Sequence, residues 1–279
     1  MQIKEMIKRS LRYLVKGVPV IQTTAKVVVT SPNNQLSGRR ILITGGATGI
    51  GLAIAKKCAA EDAQVLITSR NEEKLKTACQ KIGENAQYLV WDVRAVSTFK
   101  ELILQSEKKL GGQLDSLVSN AGVSLHEGDF HHVTEQSWDQ QMDTNLKGNY
   151  FLVKEFIEYV EAAETGYGNI VVITSDRGMR PDDIPYGLTK VASNSFVKGI
   201  GKKVIAEGIR LNAVAPGITC SELTGCKEDE NLYLERVPGK RLFLGAEVAN
   251  VVHFLLTDVS AAVAGEIINC DQGFYHGRW

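Results

Sequence analysis

Tyr186 and Lys190 stand four residues apart in a stretch whose pattern predicts a helix over 186–207. Side chains at that spacing leave a helix on one face and within reach of each other. A phenol ordinarily titrates near about 10, too high for proton transfer at neutral pH, and a neighbouring ammonium stabilises its anion. Lowering it by about 3 units takes roughly 4 kcal/mol of differential interaction. Such a pair could pass a proton to or from a substrate oxygen, although the same spacing also occurs on solvated helix faces. Ser175 places a hydroxyl at the end of an apolar strand, at the edge where open α/β sheets bind ligands. Asn145 puts a poor helix former inside a predicted helix. A second cluster lies upstream in Thr44-Gly45-Gly46-Ala47-Thr48-Gly49-Ile50-Gly51. Glycines there permit a tight turn and close approach to a phosphate, and the next helix start supplies unpaired N–H groups and a positive dipole end. A turn of this kind can be purely structural, but its place between a strand and a helix favours dinucleotide binding.

These groups need a frame. From Arg40 onward short β-rich runs alternate with helical stretches. The runs are 41–44, 64–69, 86–91, 116–120, 169–174, 210–215 and 266–269; the helices are 50–61, 72–81, 96–109, 135–161, 186–207 and 247–257. Nearly all-apolar strands separated by helices predict an α/β fold, a Rossmann-type doubly wound parallel sheet with helices on both faces. Residues 37–279 read as one NAD(P)-binding catalytic domain, and 1–36 as an N-terminal extension.

With 32 basic and 32 acidic side chains among 279 residues, the chain lacks the basic excess of a nucleic-acid binder. No apolar run approaches the roughly 18 residues of a membrane span. Five cysteines without close pairing read as incidental thiols of a reducing compartment, so the expected location is cytoplasmic. His126, His131 and His132 lie near no cysteine cluster, and no metal is expected.

The glycine spacing resembles the T-G-x-x-x-G-x-G fingerprint of the short-chain dehydrogenase/reductase family. Further stretches extend the resemblance in order: Asp92-Val93, Asn120-Ala121-Gly122, Asn145-Leu146-Lys147-Gly148, Ser175, Tyr186-x3-Lys190, Arg210 to Gly217 and Asp271-Gln272-Gly273. The match runs from 37 to about 275. The resemblance implies a catalytic tetrad of Asn145, Ser175, Tyr186 and Lys190. Tyr186 would exchange a proton with the carbonyl oxygen, and Ser175 would hydrogen-bond that oxygen. Lys190 would bind the nicotinamide ribose and tune Tyr186, and Asn145 would hold a water of the proton relay. It places the cofactor against Gly45, Thr48, Gly49, Ile50 and Gly51, with adenine near Asp92 and Val93 and ribose near Asn120, Ala121 and Gly122. Pro216, Gly217, Ile218 and Ser221 would meet its carboxamide and phosphates, and 220–240 would form a substrate lid. Relatives are commonly homodimers or homotetramers built on the long helices.

At the end of the second strand, Ser69-Arg70 offers a guanidinium and no carboxylate, which suits a 2′-phosphate. Thr48 argues the other way, standing where many NADP-using relatives carry a basic residue. NADP(H) is therefore expected over NAD(H). The reading is an NADP(H)-dependent oxidoreductase interconverting a ketone or aldehyde and an alcohol. An NAD-linked alcohol dehydrogenase and a non-catalytic nucleotide-binding sensor or scaffold are the alternatives. Ser175 and Tyr186 are 11 residues apart, shorter than the family's commonest spacing. The intervening Arg177, Arg180, Asp182 and Asp183 suggest a polar small-molecule substrate, or simply a solvated loop.

In the extension, Ile3, Met6, Ile7, Leu11 and Leu14 share one side of a helical wheel and Lys8, Arg9, Arg12 and Lys16 the other. Such a segment can dock on protein, fray, or make peripheral membrane contact through residues 1–16. Residues 20–30 could add a strand.

Overall fold

Alternation along each strand divides the core in two, because successive side chains leave a strand on opposite faces. Ile41, Ile43, Val65, Ile67, Val118, Val171 and Val214 point one way, into a cluster with Ile54, Leu75, Val248, Val252 and Leu255. Leu42, Leu66, Leu117, Ile170, Val172 and Leu211 point the other, against Phe99, Leu102, Leu152, Phe156, Val160 and Val197. Both faces are dry, which is why the strands read as continuous apolar runs.

The computed structural model describes residues 33–163, 166–221, 224–227 and 230–274, with Gln22 and Thr24 besides. The strands are β1 (Arg40–Thr44), β2 (Gln64–Ser69), β3 (Ala86–Val90), β4 (Ser116–Ser119), β5 (Gly168–Ile173), β6 (Ile209–Pro216) and β7 (Ile267–Cys270). They form one sheet in the order β3-β2-β1-β4-β5-β6-β7, with every pairing parallel. Helices α1 (Gly49–Ala60), α2 (Glu72–Ile82), α3 (Phe99–Leu110), α5 (Asn149–Ala162), α6 (Pro185–Val204) and α7 (Gly245–Leu256) cover the two faces, and α4 (Glu135–Gln141) is a short addition. The strand order reverses between β1 and β4, which opens a crevice at their carboxyl ends. The expected amphipathic helix over 1–16 lies outside the described residues, and so does the expected strand over 20–30 save Gln22 and Thr24. Chain packing is already established before residue 37: Leu36 is buried, and Glu61 accepts hydrogen bonds from the Asn33 and Gln35 N–H groups.

Two expectations are corrected. The single helix over 135–161 is α4 and α5 joined by a π-helical stretch, Met142–Gly148. The wider turn is filled by amides: Asn149 Nδ2 donates to the carbonyls of Asn145 at 2.8 Å and Ala121 at 3.0 Å. Gly148 lets this stretch seat closely, since a Cβ there would lie 2.3 Å from the Val93 carbonyl oxygen. The cysteines are not all incidental thiols either. Cys220 and Cys226 form a disulfide, whereas Cys58, Cys79 and Cys270 are free. A turn brings the pair together, with Thr224 N and Cys226 N both donating to the Ser221 carbonyl. Periodicity and spacing show neither arrangement.

Candidate active site

Thr44 ends β1 with its hydroxyl accepting from the N–H groups of Asn120 and Ala121, at 3.0 and 3.1 Å. Asn120 answers by donating its amide to the carbonyls of Thr44 and Gly45. The carboxyl ends of β1 and β4 are thereby clasped at the crevice. Gly45, at φ +65°, and Gly51 are held by this packing: a Cβ on Gly51 would lie 2.3 Å from the Gly45 carbonyl oxygen. Thr48 caps α1 without a side-chain hydrogen bond, and the first turn of α1 contains no acidic residue. The helix therefore presents uncapped N–H groups and an uncompensated positive end toward the crevice.

One cavity of about 1180 Å³ runs from this turn across the sheet edge. At one end lie Gly45, Thr48, Gly49, Ile50 and Gly51 with Ser69, Arg70, Asp92 and Val93; in the middle lie Asn120, Ala121 and Gly122. At the other end are Ser175, Tyr186 and Lys190; Pro216, Gly217 and Ile218 also line it, and Ser221 closes over the turn at Gly49. Of the expected tetrad and cofactor contacts, Asn145 alone is not among the lining residues. It lies behind the wall, its side chain donating to the Val123 carbonyl and accepting from the Val123 N–H, both at 2.8 Å. Each end of that amide thus makes one bond to the main chain, which fixes the side chain against Val123.

Glycines fit this cavity to a dinucleotide by what they omit. A Cβ on Gly49 would come 3.3 Å from the Ser221 Cβ, and one on Gly122 would come 3.3 Å from Asn145 Oδ1. The uncapped start of α1 suits a pyrophosphate, and exposed Arg70 suits a further phosphate. Asp92, by contrast, is already engaged. Arg94 grips its carboxylate through Nε and Nη2 and holds it below the usual carboxylate range.

At the chemical end, Lys190 is buried and its Nζ donates to the Ile173 carbonyl at 3.0 Å, 5.6 Å from the centre of the Tyr186 ring. Burial lowers the lysine from 10.5 to about 8. It pushes the Tyr186 phenol up, against a smaller opposing effect of the Ser175 hydroxyl. Burial thus opposes the charged form of both partners.

Ser175 Oγ donates to Asp176 Oδ1 at 2.9 Å and accepts from the Arg177 N–H at 3.2 Å. Sequence reasoning missed Asp176, which is buried and lines the same cavity. The available signal was an acidic residue immediately after the strand-ending hydroxyl. Nor is the following loop merely solvated. Arg177 binds Asp182 through two 2.6 Å bonds, and the Asp182 side chain is 2% exposed. Asp182 packs over Gly187, where a Cβ would lie 2.0 Å from its Cγ. Downstream, the segment after β6 closes on itself, with Cys220 N donating to the Phe243 carbonyl and Phe243 N to that of Ile218. Among the described residues no group of three His, Cys, Asp or Glu side chains could hold a metal ion.

A model of the family described as enoyl-(acyl carrier protein) reductase matches residues 45–275. The chain is 32% identical over 242 residues to 3-oxoacyl-(acyl-carrier-protein) reductase FabG of Rickettsia bellii, covering 85% of this chain and 97% of that one. It is 29% identical to the protein of that name from Escherichia coli, covering 85% and 98%. Among solved structures it is similar to an actinorhodin polyketide ketoreductase with NADPH, at TM-score 0.76 and 28% identity over 87% of this chain and 99% of that one. It is also similar to ElxO with NADP bound, at 0.77 and 31% over 86% and 99%. The parallel seven-stranded sheet, the glycine turn at its switch point and the serine, tyrosine and lysine at its carboxyl edge agree with these likenesses: the chain belongs to the short-chain dehydrogenase/reductase family.

Proposed function

We propose that this protein is an oxidoreductase that interconverts a carbonyl compound and an alcohol with NADP(H). The observation that carries this reading is the convergence of Ser175, Tyr186 and Lys190 in the cavity that also holds the uncapped glycine turn. When bound, the dinucleotide supplies or takes the hydride. The turn 45–51 and the start of α1 would hold its pyrophosphate, and Arg70 would pair its 2′-phosphate; the NADPH of the similar actinorhodin polyketide ketoreductase and the NADP of ElxO support that choice over NAD(H). Tyr186 gives its phenolic proton to the carbonyl oxygen on reduction and takes it back on oxidation. Ser175 orients the same oxygen. Lys190, anchored on Ile173, holds positive charge beside the ring at pH below about 8, where the developing phenolate needs it. Asn145 holds the 121–123 wall in place through Val123.

The catalytic unit proposed is 37–279, preceded by the extension 1–36. A small-molecule substrate is expected, and the working form proposed is a homodimer or homotetramer through α5 and α6. Among the described residues no helix is long and apolar enough to cross a membrane.

The test is cofactor consumption against a panel of ketones and aldehydes, with NADPH and NADH in parallel. Tyr186→Phe should lower turnover by roughly 10²–10⁴-fold, the range of a positioned general acid, while NADPH still binds. Turnover that survives this substitution would overturn the assignment. Silence of the wild type with tight NADPH binding would favour a nucleotide-binding sensor.

A further inference from the structure

A serine hydroxyl has one proton to give and two lone pairs to fill. At Ser175 one lone pair already takes the Arg177 N–H. The 2.9 Å contact with Asp176 therefore has two possible directions, and each has a different consequence for the cavity. If Asp176 is ionised, it is acceptor-only and claims the serine proton. Ser175 then keeps one open lone pair, which can take the Tyr186 phenolic proton, and neither hydroxyl is left to donate to a carbonyl. If Asp176 is protonated, it donates to Ser175 and fills the second lone pair. The serine proton must then point elsewhere, and Tyr186 has no acceptor on Ser175. Both protons are released toward the substrate oxygen.

We propose that Asp176 is a positioning residue whose protonation state decides whether Ser175 and Tyr186 present their protons to the carbonyl or to each other. This rests on the carbonyl–alcohol reading of the site. The geometry suits the role: Asp176 and Ser175 are each only 6% exposed, and both line the cavity. The charged and titratable groups that act on this pair come from several elements. Arg177 and Arg180 belong to the same loop, Tyr186 to α6, and Asp271 to the segment after β7. Burial raises the Asp176 carboxyl above its ordinary range, against the hydrogen bonds from Ser175 and the Arg177 N–H and the charge of Arg180, with Asp271 adding to the rise. Protons are conserved: carbonyl reduction consumes the Tyr186 proton, which solvent restores, and Asp176 keeps its own throughout.

The test is the pH dependence of kcat/KM for carbonyl reduction in the full chain between about pH 4 and 7. In the wild type it should fall as Asp176 ionises, approaching a tenfold loss per pH unit. Asp176→Asn, which offers an N–H to Ser175 and cannot ionise, should remove that dependence, and Asp176→Glu should restore it with a displaced midpoint. An Asp176→Asn profile that follows the wild type would overturn the proposal. A second readout needs no turnover: a difference infrared titration of the NADPH complex. A protonated-carboxyl band that disappears in Asp176→Asn should shift in Ser175→Ala. A band that ignores Ser175→Ala would overturn the proposal even if the panel found no substrate, an outcome that by itself would count only against the carbonyl reading.

Discussion

Lys190 is buried and charged at a cost, and the cost has a measurable sign. Its ammonium is satisfied by one carbonyl, that of Ile173, and burial lowers it from 10.5 to about 8. Between those two values the unfolded chain holds the proton and the folded chain does not. The unfolded state therefore binds more protons, and stability contributed by this residue rises with pH across the window. The shift corresponds to roughly 3 kcal/mol. Comparing cofactor-free wild type with Lys190→Met by chemical denaturation, the wild type should gain on the variant by about that amount between pH 8 and 10.5. A gap that does not change with pH would mean that the lysine is not desolvated as the structure has it. The comparison uses a pH difference because removing the side chain also orphans the Ile173 carbonyl, a loss that is the same at every pH. Below about pH 8 the ammonium is present to favour a Tyr186 phenolate, so the cost in stability and the proposed service to the reaction belong to one charge state.

At the scale of elements, the loop between β5 and α6 is braced rather than loose. Arg177 and Asp182 close it with a bidentate pair, Asp182 also accepts from the Ile184 N–H, and Gly187 leaves the space Asp182 occupies. The 11-residue span from Ser175 to Tyr186 can be short because this pair fixes the turn between strand and helix. Gly187→Ala puts a methyl group 2.0 Å from Asp182 Cγ, and the clamped carboxylate cannot swing aside cheaply. Overpacking of this kind costs about 1–3 kcal/mol. Because the loop joins Ser175 to Tyr186, kcat/KM should fall by about tenfold or more, given that a misplacement near 1 Å can cost about 10². Unchanged stability and kcat/KM would show that the loop adapts freely. None of this bracing is readable from the sequence, where Arg177 and Asp182 look like any charged loop. The strands were legible, to within one or two residues at their ends, because burial on both faces makes each an apolar run with abrupt polar limits. The glycine turn, Ser175, Tyr186 and Lys190 stood out because the family resemblance rests on particular residue types at ordered spacings, and the fold brings them to one cavity. The π-helical stretch at 142–148, the side-chain commitment of Asn145 to Val123 and the Cys220–Cys226 pair were not. Each depends on which groups meet across the fold, and hydrophobic period does not encode that.

The whole molecule leaves an apolar face where the long helices lie. On α5, Tyr150 is 39% exposed and Phe151 40%; on α6, Val191 is 38% exposed. Tyr150 packs edge-on to both Phe151 and Phe196, each at 5.5 Å between ring centres, so the aromatics are held in a fixed arrangement rather than scattered singly. Grouped rigid aromatics at the surface favour association, since they bury area at little entropic cost. A chain with equal numbers of acidic and basic side chains adds no net repulsion between copies. The same two helices carry the proposed chemistry inward: α6 bears Tyr186 and Lys190, and the π-helical stretch before α5 bears Asn145. Pairing the outer faces of two copies would therefore stiffen the elements that set the active-site geometry. Light scattering on the purified chain should give the mass of a dimer or tetramer, and Phe151→Asp should shift it toward the monomer with a loss of thermal stability. A wild-type monomer would remove the pairing of α5 and α6. An unchanged assembly in Phe151→Asp would place the contact elsewhere on the surface and leave the aromatic face to be explained by something other than a second copy of this chain.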